Sequence, residues 1–247
     1  MKSILTLIEE KQQVYSQLPF FEFLSDQSIS PEQKLAFAPC AAPFIMGFSD
    51  LCKYTLRQEP TKDKIQLILN QHTYEDDFHW QWFLEDLQKL GFNGSYTISE
   101  SLDFLWSEAT KNSRLLTYKL YKWIAESEPL ERLVILESIE ATADIFLSLT
   151  SKAANQLKNK TEQEYRYFGD CHANQEDCHS ANSSDTSKII ASMYLSEENK
   201  QKAQILVERV FALFTDWTYE LLAYAQAQRL AKTSSHNLKY IFHNEAA

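Results

Sequence analysis

Glycine and proline are scarce in this chain, at four and six of 247 residues. Dinucleotide-binding sheets, P-loops and turn-rich sandwiches place glycines at particular sharp turns. Here only Gly47, Gly91, Gly94 and Gly169 exist, and none forms a Gly-x-Gly pair. Basic residues are also short: 24 Lys and Arg face 34 Asp and Glu, a formal charge of −10. Affinity for a nucleic-acid backbone is built on Lys and Arg neutralising phosphates, so a nucleic-acid partner is not expected. Four cysteines, Cys40, Cys52, Cys171 and Cys178, are too few for a disulfide framework and read as reduced. The one apolar run near the start, Ile4 to Ile8, is closed by Glu9 and Glu10 and is too short for a signal-peptide core. No run approaches the ~18 apolar residues of a membrane span. Composition and termini thus predict an acidic, cytoplasmic, all-α protein without a membrane partner.

What remains is long helical pattern with few breaks. Helices are expected over 2–17, stopped near Pro19, and over 31–57, with Ser30 as cap and kinks at Pro39 and Pro43. A third covers 62–90, capped by Thr61 and closed by Gly91. Shorter helices follow from Ser99 to about Thr110 and over 113–126. Longer ones cover 129–158, 162–180 after a Thr161 cap, and 197–231. Residues 180–187 are the most loop-like, and 232–247, with His236 and His243, read as a polar tail. Nothing alternates with period two over enough residues for a sheet, and no linker divides the chain, so residues 1–247 read as one domain.

Four of the six histidines fall into two matching constellations, His72–Asp76–His79 and His172–Glu176–His179, both His-x3-acid-x2-His. On a helix, i+4 lies about 40° and i+7 about 20° from i, so each set shares one face. Imidazole and carboxylate at that spacing suit a divalent transition metal. Glu176-x2-His179 matches the Glu-x2-His element of di-iron bundles, and Asp76-x2-His79 does so with Asp in place of Glu. Around the first set Tyr74, Phe78, Trp80, Trp82, Phe83, Leu84 and Leu87 make a helix apolar on more than one face, which predicts burial. Glu75, about 60° from His72, is a further candidate ligand. In the 129–158 helix, Leu133, Leu136, Ile139, Ala143 and Phe146 form a stripe with Glu140 on or at its edge. An unpaired Glu there costs several kcal/mol, so Glu140 is a candidate bridging ligand, with Glu137 as the fallback. The alternatives are solvated His–acid pairs and a boundary Glu reaching water. A Cys2His2 zinc site from Cys171, His172, Cys178 and His179 ranks low, because the four cannot face one ion on a continuous helix.

His79 and the apolar run to Leu90-Gly91, the lone mid-chain Glu140, and His172-x3-Glu176-x2-His179 together resemble the haem-oxygenase-like di-iron oxidases, over about residues 30–225. The resemblance implies a single bundle of seven to eight helices and two irons, with manganese as the substitute metal. It further implies O2 and a small organic molecule as substrates, and a homodimer. It makes His72, Asp76, His79, Glu140, His172, Glu176 and His179 the ligand set, with Glu75 additional. Two positions depart from the family: His72 stands where Glu is usual, which removes one negative charge and one bridging option, and Glu176 stands where Asp is common. The 31–57 helix either lines the pocket or is an ordinary packed helix with proline kinks, and Tyr165 and Tyr167 are redox or core tyrosines. The competing readings are a ferritin-like di-iron bundle, which leaves His72 and His172 unused, and a non-enzymatic helical module that binds an apolar ligand or a partner.

Overall fold

The computed structural model describes the backbone of residues 1–172 and 190–244, with side chains to residue 230 in the last helix. Among the described residues every regular element is helical, as the scarcity of glycine and of period-two pattern predicts. In chain order these are α1 (Lys2–Tyr15), α2 (Pro19–Ser25), α3 (Pro31–Lys34), α4 (Ala38–Leu51), α5 (Lys64–Asp76) and α6 (His79–Lys89). Then come α7 (Ile98–Trp106), α8 (Lys111–Ala125), α9 (Pro129–Thr161) and α10 (Glu197–Asn244). The last helix runs past residue 231, so His236 and His243 lie on helix rather than in a tail.

Several breaks fall where local chemistry puts them rather than where the longest apolar pattern does. Pro19 does not merely stop α1; it opens α2, its missing N–H costing nothing in a first turn. The expected single helix over 31–57 is four pieces. A capping box between Ser30 and Gln33 starts α3, a 3-10 turn spans Leu35–Phe37, and α4 ends in a π-helical turn, Cys52–Leu56. Pro39 sits at the start of α4, where no donor is lost, and only Pro43 lies inside it. Asp63, not Thr61, caps α5, accepting from the Ile65 and Gln66 N–H groups. Thr97 caps α7 with Glu100, and Glu128 caps α9 with Glu131. Gly91, at φ 84°, closes α6 with its own N–H on the Gln88 carbonyl and the Phe92 N–H on Leu87, a paired closure that needs a left-handed residue.

The core runs along α9, whose buried residues include Leu133, Leu136, Ile139, Phe146 and Leu157. α10 packs beside it, and α1, α2, α3, α5 and α8 also lie against it. Phe20, Phe37, Phe146 and Phe168 interlock edge to face, stacked or tilted, with centroids 5.1–6.5 Å apart, and the edge-to-face pairs have the geometry in which aromatic quadrupoles attract. α10 is also pinned to α8 by Glu220, which accepts from the Asn112 and Ser113 N–H groups at 2.5 and 2.8 Å, and by the Trp217 indole donating to Ser113 Oγ at 3.1 Å. A carboxylate at a helix N-terminus satisfies two orphan donors and meets the positive end of the dipole.

The helical run Pro31–Leu56 is, contrary to the reading of its sequence, long and apolar enough to cross a membrane; 61% of its apolar window is buried inside the protein. α4 lies against α6, α8 and α10, so the apolarity serves the core. Gly47 makes its approach to α8 close: a Cβ there would stand 2.5 Å from Thr117 Cγ2.

Candidate metal centre

α5 and α9 bring the central residues together. His72 is fully buried, one of its Nε2 neighbours is the Asp76 carboxylate one turn on at 2.7 Å, and Glu140 Oε1 on α9 stands 3.0 Å from the same nitrogen. One ligand atom from each of the three lies within 4.8 Å of the others. Burial opposes a charge on His72. The charges and hydrogen bonds of Asp76 and Glu140 outweigh it and hold the imidazole well above the ordinary histidine range.

His79 reaches the same site from a different element. The sequence places His72, Asp76 and His79 on one helix, but the chain turns between Asp76 and His79. Asp77 and Phe78 form a turn, Phe78 is the N-cap of the next helix, and α6 begins at His79. The turn is held from outside. Arg57 donates to the Thr73 carbonyl at 2.9 Å and to Asp77 Oδ2 at 2.7 Å, lies 3.6 Å over the Tyr74 ring, and Ser49 Oγ donates to the Asp77 carbonyl at 2.6 Å. His79 Nδ1 is nevertheless 3.7 Å from Asp76 Oδ1. The faces also differ from expectation: Tyr74 and Leu84 are exposed, so α5 and α6 bury one side each rather than all round.

The second constellation is described only at His172, which is 5% exposed; Glu176, His179 and Cys178 lie outside the described residues. The helix expected over 162–180 does not begin at 162. Glu162 is left-handed at φ 59°, residues 163–169 are turns and loop, and helix resumes at Asp170. Gly169 makes the loop possible, since a Cβ there would stand 2.2 Å from the Tyr165 carbonyl. His172 reaches the centre all the same: its ring centroid is 4.3 Å from that of His79, and its Nδ1 is 3.0 Å from the Tyr167 carbonyl oxygen.

Of the remaining candidates, Glu75 accepts from Gln71 Nε2 at 2.9 Å on the exposed side and stands outside the cluster. Glu137 has a buried Oε1 with no hydrogen-bond partner among the described residues, and burial pushes its carboxyl up to about 7. Nearby Asp144 adds to that shift and His72 opposes it. Sequence reasoning missed the neighbourhood of Cys52, on the π-helical turn. Burial, and then the charge of Asp76 and Glu140, hold its thiol well above the ordinary range, which makes it a poor thiolate ligand. A lone cysteine on a helix offers no sequence signal for this.

A cavity of about 70 Å³ opens against the centre. Asp76, His79, Glu140 and His172 lie at its polar end, and Phe44, Phe48, Ile139, Phe146, Phe214 and Trp217 form its apolar wall. α4 thus contributes to the lining through Phe44, Ile45 and Phe48 while also packing in the core. Tyr167 lines it as well, whereas Tyr165 is buried in the core. Among the described residues neither Lys nor Arg lines it. No protein-family model matches the chain, and no curated protein does.

Proposed function

We propose that the protein is a metal-dependent oxidase of the haem-oxygenase-like di-iron type, using O2 to oxidise a small, largely apolar molecule. The observation that carries this reading is the convergence of His72, Asp76 and Glu140, ligand atoms within 4.8 Å of one another and buried. Such a trio is net negative even with the imidazole protonated, and nitrogen with carboxylate oxygen is the donor set that Fe(II) and Mn(II) take. His79 and His172 stand close enough to complete the set, and Glu176 and His179 extend the same pattern in the sequence. Bound iron would supply the redox chemistry.

The chain's own residues do the rest. Carboxylates on α5 and α9 fix the metal position from two rigid elements. The phenylalanine and tryptophan wall excludes water and orients an apolar group towards the imidazoles. The absence of Lys and Arg from the described lining disfavours a substrate whose carboxylate is buried there.

The test is anaerobic loading with Fe(II), metal analysis, and O2 uptake on exposure to air. About two irons per chain are expected, with O2 consumed. Glu140→Gln and His72→Ala should each lower bound iron at least tenfold while the helical circular dichroism stays intact. A protein that binds no metal and ignores both changes would instead be a helical module whose apolar cavity holds a ligand without chemistry.

A further inference from the structure

Asp86, on α6, is fully buried and belongs to neither histidine constellation. Its carboxylate accepts three consecutive backbone N–H groups: Arg166 at 2.9 Å on Oδ1, Tyr167 at 2.9 Å and Phe168 at 3.0 Å on Oδ2. Successive N–H groups converging on one anion form a rigid concave nest. The loop held in this way carries the parts that surround both imidazoles. The Tyr167 carbonyl lies 3.0 Å from His172 Nδ1, and the Tyr167 ring packs against His172 at 4.7 Å. The Arg166 guanidinium lies 4.5 Å over Trp82, and Trp82 stacks on His79 at 4.7 Å with 21° between the planes.

We infer that Asp86 is a positioning residue for the metal centre, fixing the tautomer of His172 and the ring plane of His79 through the 166–168 loop; this deepens the metal-binding reading and rests on it. A carbonyl oxygen only accepts, so the contact with Tyr167 requires the proton of His172 on Nδ1. With the proton on Nδ1, Nε2 is the nitrogen that carries the ring's lone pair. A backbone carbonyl behind a ligating imidazole is the recurrent device that sets tautomer and orientation. Here the carbonyl is itself held by a carboxylate on another helix. Trp82 reaches His79 from the same helix as Asp86, so α6 carries both the anchor and one of the rings it steadies.

The experiment uses the full chain, wild type and Asp86→Asn, which keeps the side chain's size but replaces one acceptor oxygen by a donor. Two-bond ¹H–¹⁵N histidine spectra of the metal-free wild type at alkaline pH are expected to show His172 protonated on Nδ1. Hydrogen exchange should find the Arg166, Tyr167 and Phe168 amides among the slow ones. In Asp86→Asn those amides should exchange faster, the Nδ1–H form should lose its dominance, and Co(II) affinity by calorimetry should fall about 10- to 100-fold. Ile4→Ala, a core truncation on α1, should lower stability and leave affinity unchanged. An Nε2–H tautomer in the wild type, fast exchange of the three amides, or unaltered tautomer and Co(II) affinity in Asp86→Asn would each overturn the inference. If the variant does not fold, the wild-type tautomer and exchange rates decide. If the wild type takes no Co(II), the metal reading falls, while the tautomer and exchange arms still judge the role of Asp86.

Discussion

Glu137 occupies the turn of α9 before Glu140, and its carboxyl is pushed up to about 7 by burial, against the pull of His72. Its unfolded value is near 4.3. Between these values the folded chain holds a proton that the unfolded chain has released, so this residue makes stability fall as pH rises from about 4.5 to 7 and level off above. Glu137→Gln removes that slope. In metal-free protein the variant should gain up to about 3 kcal/mol over wild type at pH 8 and little at pH 4, read from urea midpoints at the two pH values. An equal difference at both pH values would show the carboxyl ionised in the fold. At this scale the sequence was legible where chemistry is local. The seven-residue spacing of His72 and His79, and a Glu beside an apolar stripe, pick out residues that converge. Asp86 and Arg57 were not legible, because their partners are set by tertiary structure: Asp86 holds backbone N–H groups 80 to 82 positions away, and Arg57 reaches Thr73, Tyr74 and Asp77 on another helix and the turn after it.

Among the elements, α4 and α8 meet where Gly47 faces Thr117, with no room for a methyl group. Gly47→Ala relieves backbone entropy but drives its Cβ against Thr117 Cγ2, and overpacking of this kind costs about 1–3 kcal/mol. Adding Thr117→Ala should recover most of the loss, a coupling that a double-mutant cycle by thermal or urea unfolding will show as non-additivity. Additive losses would mean the helices simply move apart. Helix existence was readable from period and caps; helix boundaries less so. The break at 77–78 lies inside an unbroken helical pattern, because the groups that stabilise it, Arg57 and Ser49, come from other elements. The loop at 163–169 likewise interrupts good helical sequence because Asp86 satisfies three of its N–H groups, and no period in the sequence records that exchange.

For the whole molecule, one continuous buried cluster joins residues of α1, α2, α4, α5, α6, α8, α9 and α10. The bundle is therefore expected to unfold in a single cooperative transition by calorimetry, with calorimetric and van't Hoff enthalpies equal. The candidate metal residues ride on α5, α6, α9 and the helical turn at 170–172, so a cation held there ties four parts of the chain together. At a free metal concentration about 100 times Kd, linkage adds about 2.7 kcal/mol. For a chain of this size that is a rise in Tm of roughly 5–10 °C. Fe(II) or Co(II) should produce it and Mg(II) should not, and Glu140→Gln should abolish it. A Tm blind to metal would leave these residues a buried polar network.

The corner at Phe78 has a geometric consequence. On an uninterrupted rod, seven residues would separate the two imidazoles by about 10 Å along the axis, a span set by helical pitch and closed to adjustment. The turn at Asp77–Phe78 breaks that rod, and His79, at the head of α6, has its Nδ1 3.7 Å from Asp76 Oδ1. Arg57, gripping Thr73 and Asp77 on the outer side, braces that turn. Were a cation held there, the spacing of its histidine ligands would be set in part by a residue outside the cluster.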